Sequence, residues 1–171
     1  RPVIGIDLKI LDDDGNEVPT EEAGEVCVRG PNVTPGYLNR PEENEKAFKN
    51  GWFHTGDVGR VDKNGVMFLM DRKKDMIVSG GENIYTSEVE AALYKHPDVF
   101  ECAVIGLPDD KFGESLFAVI VTAPDQTLSE EIIINHCRDL IAGYKIPRQM
   151  DFVEELPKSA MSKILKNELR D

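Results

Sequence analysis

Long apolar runs are absent from this sequence. No stretch approaches the roughly 20 residues that a helix needs to cross a bilayer, so no membrane span is expected. No signal peptide is visible. The chain starts at Arg1, without an initiator methionine and inside strand-like sequence, so the expectation is a portion of a larger protein. Cysteine is scarce: Cys27, Cys102 and Cys137 are odd in number and lack the paired spacing of a zinc site. That excludes a disulfide framework, nominates no metal ligands, and points to a reducing, cytoplasmic setting. Cys137 falls on an apolar helix face and reads as core. Basic residues are also in deficit, with 20 Lys and Arg against 32 Asp and Glu and a net charge of −12. Such a field disfavours nucleic acid or an anionic membrane as partner. Repeats and low-complexity tracts are missing as well.

What is present is concentrated between Gly51 and Ile84. Thr55-Gly56-Asp57 places a carboxylate beside glycine just after Trp52 and Phe53. A hairpin follows, with apolar Val58 and Val61, the pair Asn64-Gly65, and the run Val66 to Met70. Asn-Gly between apolar runs favours a tight turn with positive φ. Asp71-Arg72-Lys73-Lys74-Asp75 is then too polar for burial, and Gly80-Gly81-Glu82-Asn83 is a glycine turn. A carboxylate, a charged joint and a glycine turn read as a nucleotide site beside a domain boundary.

Before this stretch the sequence reads as β. Ile4, Ile6, Leu8 and Ile10 alternate with small or polar residues, the period of a half-buried strand. Asp12-Asp13-Asp14-Gly15-Asn16 reads as a hairpin turn, since the alternating ligands of a calcium loop are lacking. Glu25 to Arg29 is the next strand, and Pro41 to Phe48 a short helix opened by proline. Beyond it, Ser87 and Glu90 form the pattern of a capping box. Val89, Ala92 and Leu93 then line a helix that Pro97 stops. Glu101 to Ile105 and Leu116 to Thr122 are strands. Thr127 and Glu130 suggest a second capping box before a helix faced by Ile133, Cys137, Leu140 and Ile141. Gln149 to Val153 is a strand, and Lys163 to Leu169 a last helix.

Three motifs in one order, TGD, DRKKDMIVSGGENIY and LPKSAMSKILK, resemble those of the adenylate-forming acyl-CoA synthetase superfamily. Gly24-Glu25, Gly30-Pro31 and Gly36-Tyr37 are similar to its GELxxxGP…GY segment. The resemblance covers the last third of such an enzyme. It implies an α+β fold: a small, β-rich distorted-barrel subdomain over residues 1–70, then a hinge and a mobile C-terminal α+β domain over residues 71–171. It also implies ATP, Mg2+, coenzyme A and a carboxylic acid, with a fatty acid as the expectation, as the molecules handled. The missing N-terminal domain becomes the main partner.

By the same resemblance, Asp57 and Arg72 hold the adenylate ribose and Lys74 is the hinge. Gly80, Gly81 and Glu82 line the coenzyme A tunnel, and Lys163 is the catalytic lysine of adenylation. Ordinary readings stand beside these: a turn aspartate, a surface arginine, a solvated linker, a glycine turn and a solvated lysine. Glu88 reads as structural, at a helix N-terminus. Three departures from the family pattern are Thr86, where proline is usual, Ser162, where glycine is usual, and Lys166, where arginine is usual. No Gly/Ser/Thr-rich phosphate loop or aromatic-x-Thr-Glu motif occurs, so the magnesium ligands and acyl pocket are expected elsewhere and the chain alone is expected to be inactive. The alternatives are an aryl- or hydroxycinnamate–CoA ligase and a non-catalytic binding module of the same fold.

Overall fold

The structure, a computed structural model, describes residues 3–170. The chain divides between Lys74 and Asp75 into two compact units. This lies a little beyond the 70/71 boundary read from the sequence, because Asp71 and Arg72 continue a strand of the first unit.

The first unit is an antiparallel sheet curled into a half-barrel. Its strands are β1 (Asp7–Leu11), β2 (Gly24–Arg29), β3 (Phe48–Lys49), β4 (Trp52–Val61) and β5 (Met67–Arg72). They run in the order β1-β2-β4-β3, with β5 pairing β4. Helix α1 (Pro41–Ala47) starts on Pro41, as read from the sequence, with Glu42 and Glu43 in its first turn. Gly5 takes φ +86°, so β1 begins only at Asp7 and Ile4 is fully exposed. Ile10, Leu11, Val26, Cys27 and Val58 are the buried apolar side chains of the curl.

Two loops of this unit share one design. Asp12 N–H donates to Asn16 O and Gly15 N–H to Asp12 O, with Gly15 at φ +84°. Asp62, Val66 and Gly65 repeat the pattern, with Gly65 at φ +71°. Asp12 and Asp62 each accept the N–H four residues on, at 2.8 Å, and these backbone hydrogen bonds hold both carboxyls below their usual range. Asn64 itself keeps negative φ. The connection is therefore a three-residue loop closed by a glycine bulge, not a tight Asn-Gly turn.

The second unit is a mixed sheet with helices on one face. Its strands are β6 (Ile77–Ser79), β7 (Glu82–Ile84), β8 (Val99–Asp109), β9 (Gly113–Thr122) and β10 (Gln149–Val153). The order is β10-β9-β6-β7, with β8 also on β9, and β10 runs parallel to β9. Strand alternation decides what lies on each face. Leu116, Ala118 and Ile120 of β9 pack toward α2 (Thr86–Leu93) and α3 (Glu130–Arg138), against Val89, Leu93, Ile133 and Cys137. Val119 and Val121 face the other way, against Leu156, Ile164 and Leu169 of the C-terminal segment. Each fully buried aliphatic side chain here stabilises by about 1.5–3 kcal/mol. Among the described residues no helix is long and apolar enough to cross a membrane.

Neither helix starts at the residue that the capping pattern nominated. Tyr85 is the N-cap of α2 and makes no side-chain cap hydrogen bond. Ser129, not Thr127, caps α3, its hydroxyl accepting from Ile132 N–H at 3.4 Å. The final helix is a 3-10 turn over Lys166–Leu169, leaving Lys163 in the loop before it. Asp75, expected to be solvated, is 9% exposed and paired with Arg170 at 3.0 Å.

Candidate functional site

Strand β4 carries Thr55-Gly56-Asp57 on a bulge. Opposite β2 the register passes from Glu25↔Val58 to Cys27↔His54, so the three residues stand out from the ladder. Such bulges re-aim side chains. Gly56 sits at φ +72°, and an added Cβ would meet nothing within 4 Å, so glycine is needed there for its backbone and not for space. The loop is held from below: Thr55 Oγ donates to Val26 O at 2.8 Å, and Asp57 N–H donates to Thr55 Oγ at 3.1 Å.

Asp57 stands across the β4–β5 ladder from Arg72, and Arg72 Nε lies 2.9 Å from Asp57 Oδ1. The side chains are 31% and 57% exposed, so the pair contributes little stability and presents a carboxylate and a guanidinium to solvent side by side.

Glu25 is the hub beneath them. Its Oε1 accepts from Gly56 N–H at 3.1 Å, and its Oε2 lies 3.2 Å from His54 Nδ1 and 3.1 Å from Lys73 Nζ. Burial alone would push the Glu25 carboxyl up; the hydrogen bonds from His54 and Lys73 outweigh it and hold it below its usual range. Cys27, fully buried with its Sγ 3.4 Å from the same histidine nitrogen, is pushed up to about 11 by burial and by the Glu25 charge. Glu25, Cys27 and His54 bring three ligand-type atoms within 4.8 Å of one another. The Lys73 ammonium already supplies the cation for that carboxylate. A thiol that stays protonated is moreover a poor partner for a hard cation such as magnesium.

Lys74 is exposed, in the turn after β5. The remaining candidates belong to the second unit. Gly80 and Gly81, at φ +62° and +86°, form the two-residue turn of the β6–β7 hairpin, with Ser79 opposite Glu82. Two positive φ values make this the primed turn that strand twist favours. Gly80 N–H donates to Phe112 O at 2.8 Å, and an added Cβ at Gly81 would meet nothing within 4 Å. Glu82 is exposed. Glu88, in the first turn of α2, receives Lys145 Nζ at 2.6 Å.

Lys163 lies on a small loop closed by the bridge Lys158↔Ile164. Ser159 organises it: its N–H donates to Lys163 O at 2.8 Å and its hydroxyl accepts from Lys163 N–H at 3.2 Å. Ser162 holds φ +59°, so the position keeps the left-handed backbone glycine would supply, at a steric cost. Both flanks are clamped. Lys158 pairs with Glu101 and Lys166 with Glu90, each at 2.7 Å, and Lys166 also donates to Thr86 Oγ at 2.7 Å. The Lys163 side chain is exposed.

The structure thus brings Asp57 and Arg72 together in one unit, and places Lys163 and the glycine hairpin in the other. Reading the sequence missed Glu25 as a hub, the Lys73 clamp, and the anchors Asp75–Arg170 and Glu90–Lys166. Only the Gly24-Glu25 motif and the charged DRKKD run offered a signal for any of them.

Two family models match the chain: AMP-binding enzyme over residues 1–38, and AMP-binding enzyme C-terminal domain over residues 88–163. A long-chain-fatty-acid–CoA ligase of Escherichia coli O6:H1 is 45% identical over 170 residues, covering 99% of this chain and 30% of the relative. A 2-succinylbenzoate–CoA ligase of Bacillus mycoides is 44% identical over 99% of this chain and 35% of the relative. The o-succinylbenzoate CoA synthetase of Bacillus subtilis, solved with its acyl-adenylate intermediate, superposes with a TM-score of 0.93 at 40% identity, covering 100% of this chain and 35% of that one. The same enzyme has been solved with ATP and magnesium ion, at a TM-score of 0.92. The chain therefore spans about a third of the length of the relatives it matches. By its motifs, its fold and these matches, it belongs to the AMP-binding family of adenylate-forming enzymes.

Proposed function

We propose that the chain is the C-terminal part of an AMP-forming acid–CoA ligase, and that the full-length enzyme activates a fatty acid. The observation that carries the reading is the Asp57–Arg72 pair on the β4 bulge, 2.9 Å apart and open to solvent. An ionised carboxylate accepts two charge-assisted hydrogen bonds from the vicinal hydroxyls of a ribose, and Arg72 holds it in place. In the first half-reaction the acid's carboxylate oxygen attacks the α-phosphorus of ATP. The bond to pyrophosphate breaks and pyrophosphate departs with the electron pair. The Lys163 ammonium, bridging carboxylate and phosphate oxygens, offsets the charge that develops.

In the second half-reaction the sulfur of coenzyme A attacks the acyl carbon. The C–O bond to AMP breaks, AMP leaves with the electron pair, and the thiol proton passes to solvent. The hairpin of Gly80, Gly81 and Glu82 lines the path of the pantetheine arm, and Lys74 absorbs the rotation between the two steps. Magnesium neutralises phosphate charge in such chemistry. The Glu25, Cys27 and His54 group does not fit it, so its ligands belong to the remainder of the enzyme. The setting is the reducing cytoplasm, where the three free cysteines stay thiols.

The match to 2-succinylbenzoate–CoA ligases, 44% against 45%, favours an aromatic acid as the second reading. The test is acid-dependent exchange of pyrophosphate into ATP by the full-length enzyme, with saturated fatty acids and aryl acids compared. Exchange with a fatty acid, lost in Asp57→Ala, is the expected result. Exchange only with aryl acids moves the substrate to the second reading, and exchange with neither overturns the ligase assignment.

A further inference from the structure

The unit boundary falls between Lys74 and Asp75, and the residues on either side of Lys74 are tied down in opposite directions. Lys73 belongs to the first unit. Its N–H donates to Gly56 O at 2.8 Å, and its ammonium lies 2.7 Å from Asp13 Oδ1 and 3.1 Å from Glu25 Oε2. Glu25 is itself bonded to Gly56 N–H, so Lys73 is locked to the loop that carries Asp57 through both backbone and side chain. Asp75 belongs to the second unit. It is 9% exposed, and Arg170 Nη2 lies 3.0 Å from its Oδ1. Ile77, two residues on, is 1% exposed in the core of that unit. Lys74 alone of the three is exposed.

We infer that Lys73 and Asp75 are paired anchors that confine the rotation between the two half-reactions to the backbone of Lys74. This rests on the reading that the two units turn about this segment. A pivot spread over five charged residues would let the second unit wander through many orientations. Productive geometry would then be rare in each of the two steps. Anchoring one side by three polar contacts and the other by a nearly buried ion pair leaves the φ and ψ of one residue to move. Lys73, Glu25, Asp75 and Arg170 are accordingly positioning residues, which set where the moving unit arrives without touching substrate.

The test is a distance measurement in the full-length enzyme. Glu45 and Glu131 are exposed, one in each unit, and Glu45→Cys with Glu131→Cys accept spin labels while Cys27, Cys102 and Cys137 are buried. Distances are read by pulsed electron resonance with a non-hydrolysable acyl-adenylate, then with coenzyme A added. The unaltered anchors should give one narrow distance in each condition. Lys73→Met and Asp75→Asn should broaden both about two-fold and slow single-turnover thioester formation about ten-fold, while Arg170→Lys keeps the narrow peaks. Unchanged widths in both variants overturn the inference. Lys74→Pro separates this failure from failure of the hinge. If Lys74→Pro abolishes the shift while the anchor variants leave widths unchanged, the hinge stands and the anchors fall. If Lys74→Pro still shifts fully, the hinge falls and takes the anchors with it.

Discussion

Lys166 Nζ lies 2.7 Å from Glu90 Oε1, and that same oxygen accepts Val104 N–H at 2.8 Å. One carboxylate thus joins helix α2, the centre of β8 and the segment that follows Lys163. The Lys166 and Glu90 side chains are 17% and 20% exposed, so the pair is mostly out of water. Removing one partner of such a pair costs more than the pair contributes, because the other is left desolvated.

Lys166→Met should therefore destabilise the second unit by about 1–3 kcal/mol, the cost of leaving a buried polar group unsatisfied. Lys166→Arg should restore most of it, since the guanidinium can meet both Glu90 and Thr86. Urea unfolding of the three proteins gives the comparison. A Lys166→Met midpoint equal to the parent's would show that the ion pair is idle.

Glu25 makes the first unit sensitive to acid. Its folded carboxyl lies below the ordinary 4.5. Its contribution is complete above that ordinary value and is lost as pH falls through the lowered folded one. Glu25→Gln should flatten the acid limb of the stability curve and lower stability near neutrality. Thermal melts across the acid range would read both effects. An acid limb unchanged in Glu25→Gln would assign acid sensitivity to other groups.

Cys27 gives the opposite limb. A thiol raised to about 11 holds its proton in the folded chain where the unfolded chain, near 9.0, has lost it. Stability from this site is complete below pH about 9 and declines as pH rises toward the folded value. Cys27→Ala should remove that decline at the cost of a small cavity, and the native thiol should resist alkylation at neutral pH. Rapid labelling of Cys27 in the folded protein would contradict its burial.

Much of this was legible locally, and the failures share a cause. Gln149 to Val153 is a strand as its alternation indicated, and Pro41 starts α1 as proline at a first turn should. The α+β class followed from such signals. The glycine turn read at Gly80-Gly81 is there, but the two-residue turn read at Asn64-Gly65 is a longer loop in which Gly65 and not Asn64 takes positive φ, because strand register sets loop length and register is not local. The Oε1 of Glu90, read as part of a local cap, accepts from Val104 N–H and meets Lys166, both distant in sequence. Asp75 looked too polar to bury until Arg170, 95 residues on, supplied its counter-charge. Long-range partners decided each miss.

Lys163 offers the sharpest division between structure and chemistry. Its side chain is exposed, and its loop is held by Ser159 and by the Lys158 and Lys166 clamps rather than by its own ammonium. Lys163→Ala should leave the melting temperature of the second unit within experimental error. If the ammonium stabilises charge only while pyrophosphate departs, adenylate formation should fall about 10²–10³-fold, as loss of one positioned donor does, equivalent to about 2.7–4 kcal/mol. Thioester formation from supplied acyl-adenylate should stay within a few-fold if, as proposed, the glycine hairpin rather than Lys163 serves that step. Single-turnover rates of each half-reaction in the full-length enzyme decide the matter. Equal losses in both would mean that Lys163 serves the adenylate throughout, and the division of labour between the two faces of this unit would have to be abandoned.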